Sequence, residues 1–121
     1  MSRTGLRPRR FCGIWRVCVR GEVHRLRAPR DVHGHEQQGS RYAVVVQSDQ
    51  FPLSTWLVAP TSIAARPASF RPGVEIGGRT TRVLAEQTAA VDPARLGASL
   101  GNLTLDELRH VDAALRLLLD L

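Results

Sequence analysis

Three consecutive valines, Val44 to Val46, constrain the fold of this chain more than any other feature. β-Branched residues in succession are typical of a strand that is buried on both faces, which predicts a strand over residues 42–47. A polar stretch precedes it over residues 28–40, with a proline and two glycines, and predicts a long loop. The chain therefore needs a sheet that is covered on both sides of this strand.

Further short strands are predicted from apolar runs and alternation. Pro60 is expected to end regular pairing after the second apolar run, which leaves Thr61 and Ser62 at a strand end. Pro72 favours an edge position, and Gly77-Gly78 predicts a hairpin turn. The predicted strands cover residues 22–27, 55–59, 70–76, 80–87 and, with a weaker pattern, 96–100.

The end of the chain predicts one amphipathic helix. Thr104 and Glu107 have the spacing of a capping box, and Leu103 and Leu108 stand where a hydrophobic staple would lie. Apolar residues then recur at helical spacing and predict a single apolar face, made of Leu105, Leu108, Val111, Leu115, Leu118 and Leu119. The sequence thus predicts a mainly β domain with a C-terminal α-helix.

Length and charge set the domain organisation. The 121 residues suffice for one domain, and no apolar run approaches the roughly 20 residues of a membrane-spanning helix. Residues 1–30 hold nine arginines and one acid, whereas residues 31–121 hold eight arginines and ten acids. We therefore predict a basic, disordered arm over residues 1–19, a nearly neutral domain over residues 20–121 and a cytoplasmic location.

Metal binding is weakly supported. Cys12 and Cys18 both lie in the arm, and in a cytoplasmic chain a pair at this spacing is more often free than bridged. His33 and His35 flank Gly34, but no third or fourth ligand is evident near them. We expect neither a metal ion nor another cofactor.

An ordered set of motifs resembles the toxins of the MazF/PemK family. In that family Arg-Gly-Glu/Asp-hydrophobic is followed by Gly-x-Glu-Gln-x-Gly-x-Arg-Pro-Ala-Val-Val. The set covers residues 20–121 in order. Its members are Arg20-Gly21-Glu22-Val23, Gly34-His35-Glu36-Gln37-Gln38-Gly39-Ser40-Arg41-Tyr42-Ala43-Val44-Val45-Val46, Val58-Ala59-Pro60-Thr61-Ser62, Val83-Leu84-Ala85-Glu86-Gln87 and Leu100-Gly101 to Leu105.

The resemblance implies a compact SH3-like β-barrel, the fold of the CcdB, MazF and Kid toxins, paired as a homodimer with an RNA groove across the interface. It also implies an acidic antitoxin partner and marks Arg41 as the catalytic arginine. Two positions depart from the family pattern. Tyr42 replaces the usual proline, and Pro60-Thr61-Ser62 replaces Pro-x-Thr, so the catalytic hydroxyl is Ser62 by count or Thr61 by type.

The chemistry of RNA fits these residue types. RNA carries its own nucleophile, the 2′-hydroxyl, so an enzyme that aligns it with the adjacent phosphorus needs no metal and leaves 2′,3′-cyclic phosphate and 5′-hydroxyl ends. Arg41 would stabilise the charge on the phosphorane, since an arginine is a poor general base. Thr61 or Ser62 would orient the phosphate, although either could simply cap a turn.

Other residues and functions stay open. Glu36 and Gln37 would order the loop or contact RNA, and Tyr42 would stack on a base, although a solvated carboxylate and a core aromatic are common alternatives. Phe51 and Trp56 are likewise candidates for stacking on bases, although aromatic residues near apolar strands are more often core residues. The alternatives to a metal-independent endoribonuclease are a CcdB-like toxin that binds DNA gyrase and an inactive homologue that binds only its antitoxin.

Overall fold

The fold is a curled antiparallel sheet with one helix packed against it. The computed structural model describes residues 18–27 and 41–121. The elements are β1 Glu22–Leu26, β2 Arg41–Val45, β3 Trp56–Ser62, β4 Gly73–Ile76, β5 Arg79–Val83, β6 Ala89–Val91, β7 Leu96–Asn102 and the helix α1 Leu105–Leu119, with 3₁₀ turns at Ala85–Gln87 and Pro93–Arg95. The predicted mainly β architecture with a C-terminal helix is confirmed.

Strand β3 organises the sheet. The strand order is β4-β5-β3-β2-β1-β7, and β6 pairs with the first half of β3. β4 lies at one edge, as Pro72 predicted. The hairpin between β4 and β5 turns at Gly77 and Gly78, whose φ angles of 62° and 82° suit the left-handed conformation that this turn needs.

The valine run is buried on both faces of the sheet, as predicted. One face forms the sheet–helix core with Val23, Val44, Val46, Ala59, Val74, Ile76, Val83, Leu103 and Val111. The other face forms the second core with Cys18, Ala43, Val45, Trp56, Val58 and Leu96. Adjacent residues of β2 thus enter different cores, because successive side chains of a strand point to opposite faces.

The helix begins with the predicted capping box. The Thr104 hydroxyl accepts a hydrogen bond from the Glu107 amide at 3.1 Å, and the Glu107 carboxylate accepts one from the Thr104 amide at 3.0 Å. Burial raises the pKa of Glu107, but the backbone amides of Thr104 and Glu75 outweigh it, so that the pKa lies below its ordinary value. Of the predicted apolar face, Val111 is buried, whereas Leu105, Leu118 and Leu119 are 65%, 37% and 62% exposed.

Three strand predictions need correction. Pro60 does not end pairing, because β3 continues to Ser62 and the Pro60 carbonyl accepts a hydrogen bond from the Leu84 amide at 2.8 Å. Residues 85–87 form a 3₁₀ turn instead of the end of the predicted strand 80–87. β6 was missed, since its three residues, Ala89–Val91, are too few for a recognisable alternation.

Cys18, which was assigned to the arm from the sequence, is among the described residues. Its side chain is 2% exposed in the second core, and the thiol is free. Burial raises the pKa of this thiol, which disfavours the reactive thiolate. Residues 1–17 of the predicted arm over residues 1–19, and the predicted loop over residues 28–40, lie outside the described residues, so the predicted domain boundary stays a prediction. Within the described part, no helix is long and apolar enough to cross a membrane.

Candidate functional site

Strand pairing brings Arg41 next to the two candidate hydroxyls. The register of β2 and β3 pairs Ala43 with Pro60, Val44 with Ala59 and Val45 with Val58. Arg41 and Ser62 each lie two residues beyond the last of these pairs, Ala43 with Pro60. Residues opposite each other in an antiparallel pair share a face of the sheet, so both side chains lie on the face that carries the second core.

The charge of Arg41 is not compensated within the described residues. Arg41 is half-buried at the first position of β2, across from Leu26 on β1. It belongs to none of the ion pairs or side-chain hydrogen bonds found among residues 18–27 and 41–121. A guanidinium in this situation keeps its donors available for an anion.

Thr61 and Ser62 differ in what their hydroxyls do. Thr61 is 3% exposed, faces the sheet–helix core and donates a hydrogen bond to the Tyr42 carbonyl at 3.3 Å. Ser62 is half-buried on the other face, and its oxygen accepts a hydrogen bond from the Ala64 amide at 3.2 Å. That contact leaves the Ser62 hydroxyl hydrogen free to donate. Ser62 is therefore the more accessible hydroxyl beside Arg41.

Tyr42 faces away from Arg41 and Ser62. Its ring packs against the sheet–helix core, and the Arg25 guanidinium carbon lies 5.7 Å from the ring centroid. This surrounding favours packing over base stacking, and an RNA contact by Tyr42 stays a prediction. Trp56 is a core residue at 3% exposure, whereas Phe51 is 56% exposed.

Arg82 was not predicted as a site residue, although it lies directly opposite Ser62 in the sheet. It pairs with Ser62 from the β5 side, and its Nη1 donates a hydrogen bond to the Arg71 carbonyl at 2.8 Å. Alternation within β5 was the available signal, because the neighbours Thr81 and Val83 are buried and Arg82 must then face the other way.

Arg71 is itself neutralised. Its guanidinium donates from Nε and Nη2 to Oε2 of Glu86 at 3.0 and 2.7 Å. These hydrogen bonds hold the pKa of Glu86 below its ordinary value of 4.5. The Glu86 carboxylate is thus already engaged with Arg71.

The remaining predicted residues lie outside the described part of the chain. Glu36 and Gln37 of the loop, and the pair His33 and His35, belong to residues 28–40. Across the described residues, no three His, Cys, Asp or Glu side chains come together in a way that could hold a metal ion.

Comparisons with known sequences relate the chain to toxins. A family model described as PemK-like, MazF-like toxin of type II toxin-antitoxin system matches residues 19–119. The candidate toxin Rv3098A of Mycobacterium tuberculosis is 43% identical over 75 residues, which are 62% of this chain and 71% of that protein.

Solved structures share the fold. MazF from Deinococcus radiodurans superposes with a TM-score of 0.70 at 25% identity, covering 87% of this chain and 98% of that one. An endoribonuclease from a mycobacterial species gives a TM-score of 0.71 at 16% identity, covering 89% and 96%. A MazE–MazF complex from Deinococcus radiodurans gives 0.71 at 22% identity, covering 87% and 98%. The curled sheet with its C-terminal helix is therefore the fold of these proteins.

Proposed function

The chain belongs to the family of PemK-like, MazF-like toxins of type II toxin–antitoxin systems, and from this premise we propose that it is an endoribonuclease that cuts single-stranded RNA. The observation that carries the proposal is the β2–β3 pairing, whose last pair is Ala43 with Pro60 and which leaves Arg41 and Ser62 each two residues beyond it, on the same face of the sheet. An arginine without a compensating carboxylate among the described residues, beside a hydroxyl with a free hydrogen, is suited to a phosphate.

Cleavage in this scheme uses the nucleophile of the RNA. The 2′-oxygen bonds to the adjacent phosphorus as its proton passes to water, and the bond from phosphorus to the 5′-oxygen breaks as that oxygen takes a proton from Arg41, which recovers one from water. The products are a 2′,3′-cyclic phosphate and a 5′-hydroxyl. The protein has to hold the phosphate in line and stabilise the extra negative charge on the phosphorane, for which no metal ion is required.

The roles of the site residues in the proposed reaction follow from their chemistry. Arg41 donates hydrogen bonds to the non-bridging oxygens of the phosphorane, and it also donates the proton to the leaving oxygen. Ser62 donates to a non-bridging oxygen and orients the phosphate. Thr61 positions the strand through its bond to the Tyr42 carbonyl and does not touch the RNA. Glu36 and Gln37 are proposed to order the loop before β2 or to contact the RNA.

The proposal includes two protein partners. The chain would pair as a homodimer whose RNA groove crosses the interface, and a cognate antitoxin with an acidic segment would cover Arg41. The solved complexes of MazF with MazE, and of a mycobacterial endoribonuclease with its cognate antitoxin, support the second partner. The activity is placed in the cytoplasm, where messenger RNA is the substrate.

Substitution of Arg41 tests the proposal. Wild-type protein and Arg41→Ala are incubated with a defined single-stranded RNA and with the DNA of the same sequence. We expect the wild type to cut only RNA, and Arg41→Ala to cut about 10²–10³-fold more slowly, the usual loss for one transition-state donor. Arg79→Ala is the matched control, because Arg79 is an exposed arginine at the β5 hairpin and lies on the other face.

Two results would contradict the proposal. Equal rates for Arg41→Ala and wild type would remove Arg41 from the site. RNA that stays intact with wild-type protein across diverse sequences would favour a toxin that acts by binding, or a relative that binds only its antitoxin.

A further inference from the structure

We propose that Arg82 binds a second phosphate of the RNA, beside the phosphate that is cut. The inference deepens the proposed function and rests on it. It assigns a binding role to a residue outside the pair Arg41 and Ser62, and it predicts that the RNA crosses the sheet along one row of residues.

The row is fixed by strand pairing. Leu26 pairs with Arg41, Ser62 pairs with Arg82, and Arg82 pairs with Gly73. Together with the pairing of β2 with β3, these pairs run across β1, β2, β3, β5 and β4. Neighbouring strands are about 4.8 Å apart, so the backbone of Arg82 lies at about that distance from Ser62, while Arg41 belongs to the strand on the opposite side of β3.

The guanidinium of Arg82 reaches beyond β5. Nη1 donates to the Arg71 carbonyl at 2.8 Å and lies 3.9 Å from the point that a Cβ on Gly73 would occupy. Gly73 has no side chain that could cover this side of the guanidinium. Two strand spacings put this group roughly 10 Å from Ser62, so it suits a neighbouring phosphate better than the one being cut.

The charge of Arg82 is available for an anion. Its bond to the Arg71 carbonyl uses one of five N–H donors, and Arg82 takes part in none of the ion pairs among the described residues. Glu75, two residues from Gly73 on the same face, forms none of these ion pairs with Arg82, and Glu86 already pairs with Arg71. A half-buried arginine held by one neutral carbonyl is thus a fixed cation on the same face as the candidate site.

The alternative is that Arg82 only fastens β5 to the residues before β4 through the Arg71 carbonyl. The salt dependence of RNA binding separates the two roles. Each phosphate contact in a single strand contributes about 0.7 to the slope of log affinity against log salt. A purely structural arginine contributes nothing to that slope.

The experiment measures binding of a labelled single-stranded RNA, 2′-O-methylated to prevent cutting, from about 50 to about 200 mM salt. For Arg82→Gln we expect about tenfold weaker binding at the lowest salt and a slope smaller by about 0.7. Arg82→Lys keeps the charge and should keep the slope. Arg79→Gln removes an arginine from the other face of the same strand and should match the wild type.

The position of the contact is tested with RNAs that carry one uncharged methylphosphonate linkage at a time around the cut. Wild-type protein should lose affinity when the linkage next to the cut becomes neutral. Arg82→Gln should lose nothing further at that linkage, because its partner is already absent. With cleavable RNA, Arg82→Gln should raise KM about tenfold and leave kcat within about twofold, since the contact is remote from the reacting atoms.

Folding of Arg82→Gln is checked by thermal unfolding, and Gly73→Glu gives a second route that leaves Arg82 in place. A carboxylate there would pair with the Arg82 guanidinium and lower the slope, whereas Gly73→Ala should not, because its Cβ meets neighbours only at 3.8 Å or more. If wild-type protein cuts RNA and Arg82→Gln keeps its slope, KM and methylphosphonate profile, the inference is overturned and the proposed function stands. RNA that wild-type protein neither binds nor cuts overturns both.

Discussion

Single substitutions of Ser62 and Thr61 on β3 test which of the two adjacent hydroxyls contacts the phosphate. Ser62→Ala removes a hydroxyl that is half-buried and accepts one hydrogen bond from the Ala64 amide. Its effect on stability should stay within about 0.5 kcal/mol. Loss of one donor to the reacting phosphate costs about 10²–10³ in kcat. Ser62→Thr keeps the hydroxyl and should restore most of the rate.

Thr61→Val should show the opposite behaviour. Valine keeps the shape in the sheet–helix core but leaves the Tyr42 carbonyl without the Thr61 donor, which costs roughly 1 kcal/mol. For a domain of this size that lowers Tm by about 4 °C, while kcat should stay near the wild-type value. Initial rates on a defined RNA and thermal unfolding of both variants decide the matter. If Thr61→Val is slow and Ser62→Ala is not, our assignment of the hydroxyl is wrong.

Three further predictions concern stability. Val44→Ala, at a position with 0% exposure, should destabilise the protein by about 2–3 kcal/mol in urea unfolding; a change under 1 kcal/mol would contradict close packing there. Thr104→Ala removes half of the capping box with Glu107 and should cost about 1 kcal/mol in the same assay, whereas an unchanged midpoint would mean that the cap is dispensable. Glu86→Gln should destabilise at pH 7, and its difference from wild type should shrink as the pH falls below 4.5. Its folded pKa lies below 4.5, so the contribution of its bond with Arg71 is present above that pH and lost as pH falls through the folded value. A difference from wild type that does not shrink with falling pH would refute this.

Sequence patterns predicted most of the strands and the helix, because these elements depend mainly on side chains close together in the sequence. The valine run and the capping box each follow from side chains within a few residues, and both appear in the structure. The strand end at Pro60 could not be predicted in this way. Its missing amide matters only if a partner strand needs it, and β3 changes partners there, from β2 to β5.

The candidate site was predictable in part for the same reason. The family motif marked Arg41 and left Thr61 and Ser62 open, since a sequence does not show which of two adjacent strand residues faces a given side. The burial of Thr61 and the accessibility of Ser62 depend on the register with β2 and β5. Arg82 lies twenty residues from Ser62 along the chain, and only the strand order makes them neighbours.

The cleavage chemistry is tested by mapping the ends that purified protein produces from a defined single-stranded RNA in EDTA. We predict cuts at a short recurring sequence in RNA and none in the DNA counterpart, with 2′,3′-cyclic phosphate and 5′-hydroxyl ends identified by mass spectrometry. Ends that carry a 5′-phosphate, or cleavage that stops when EDTA is added, would contradict an Arg41 and Ser62 site that uses the 2′-hydroxyl of the RNA.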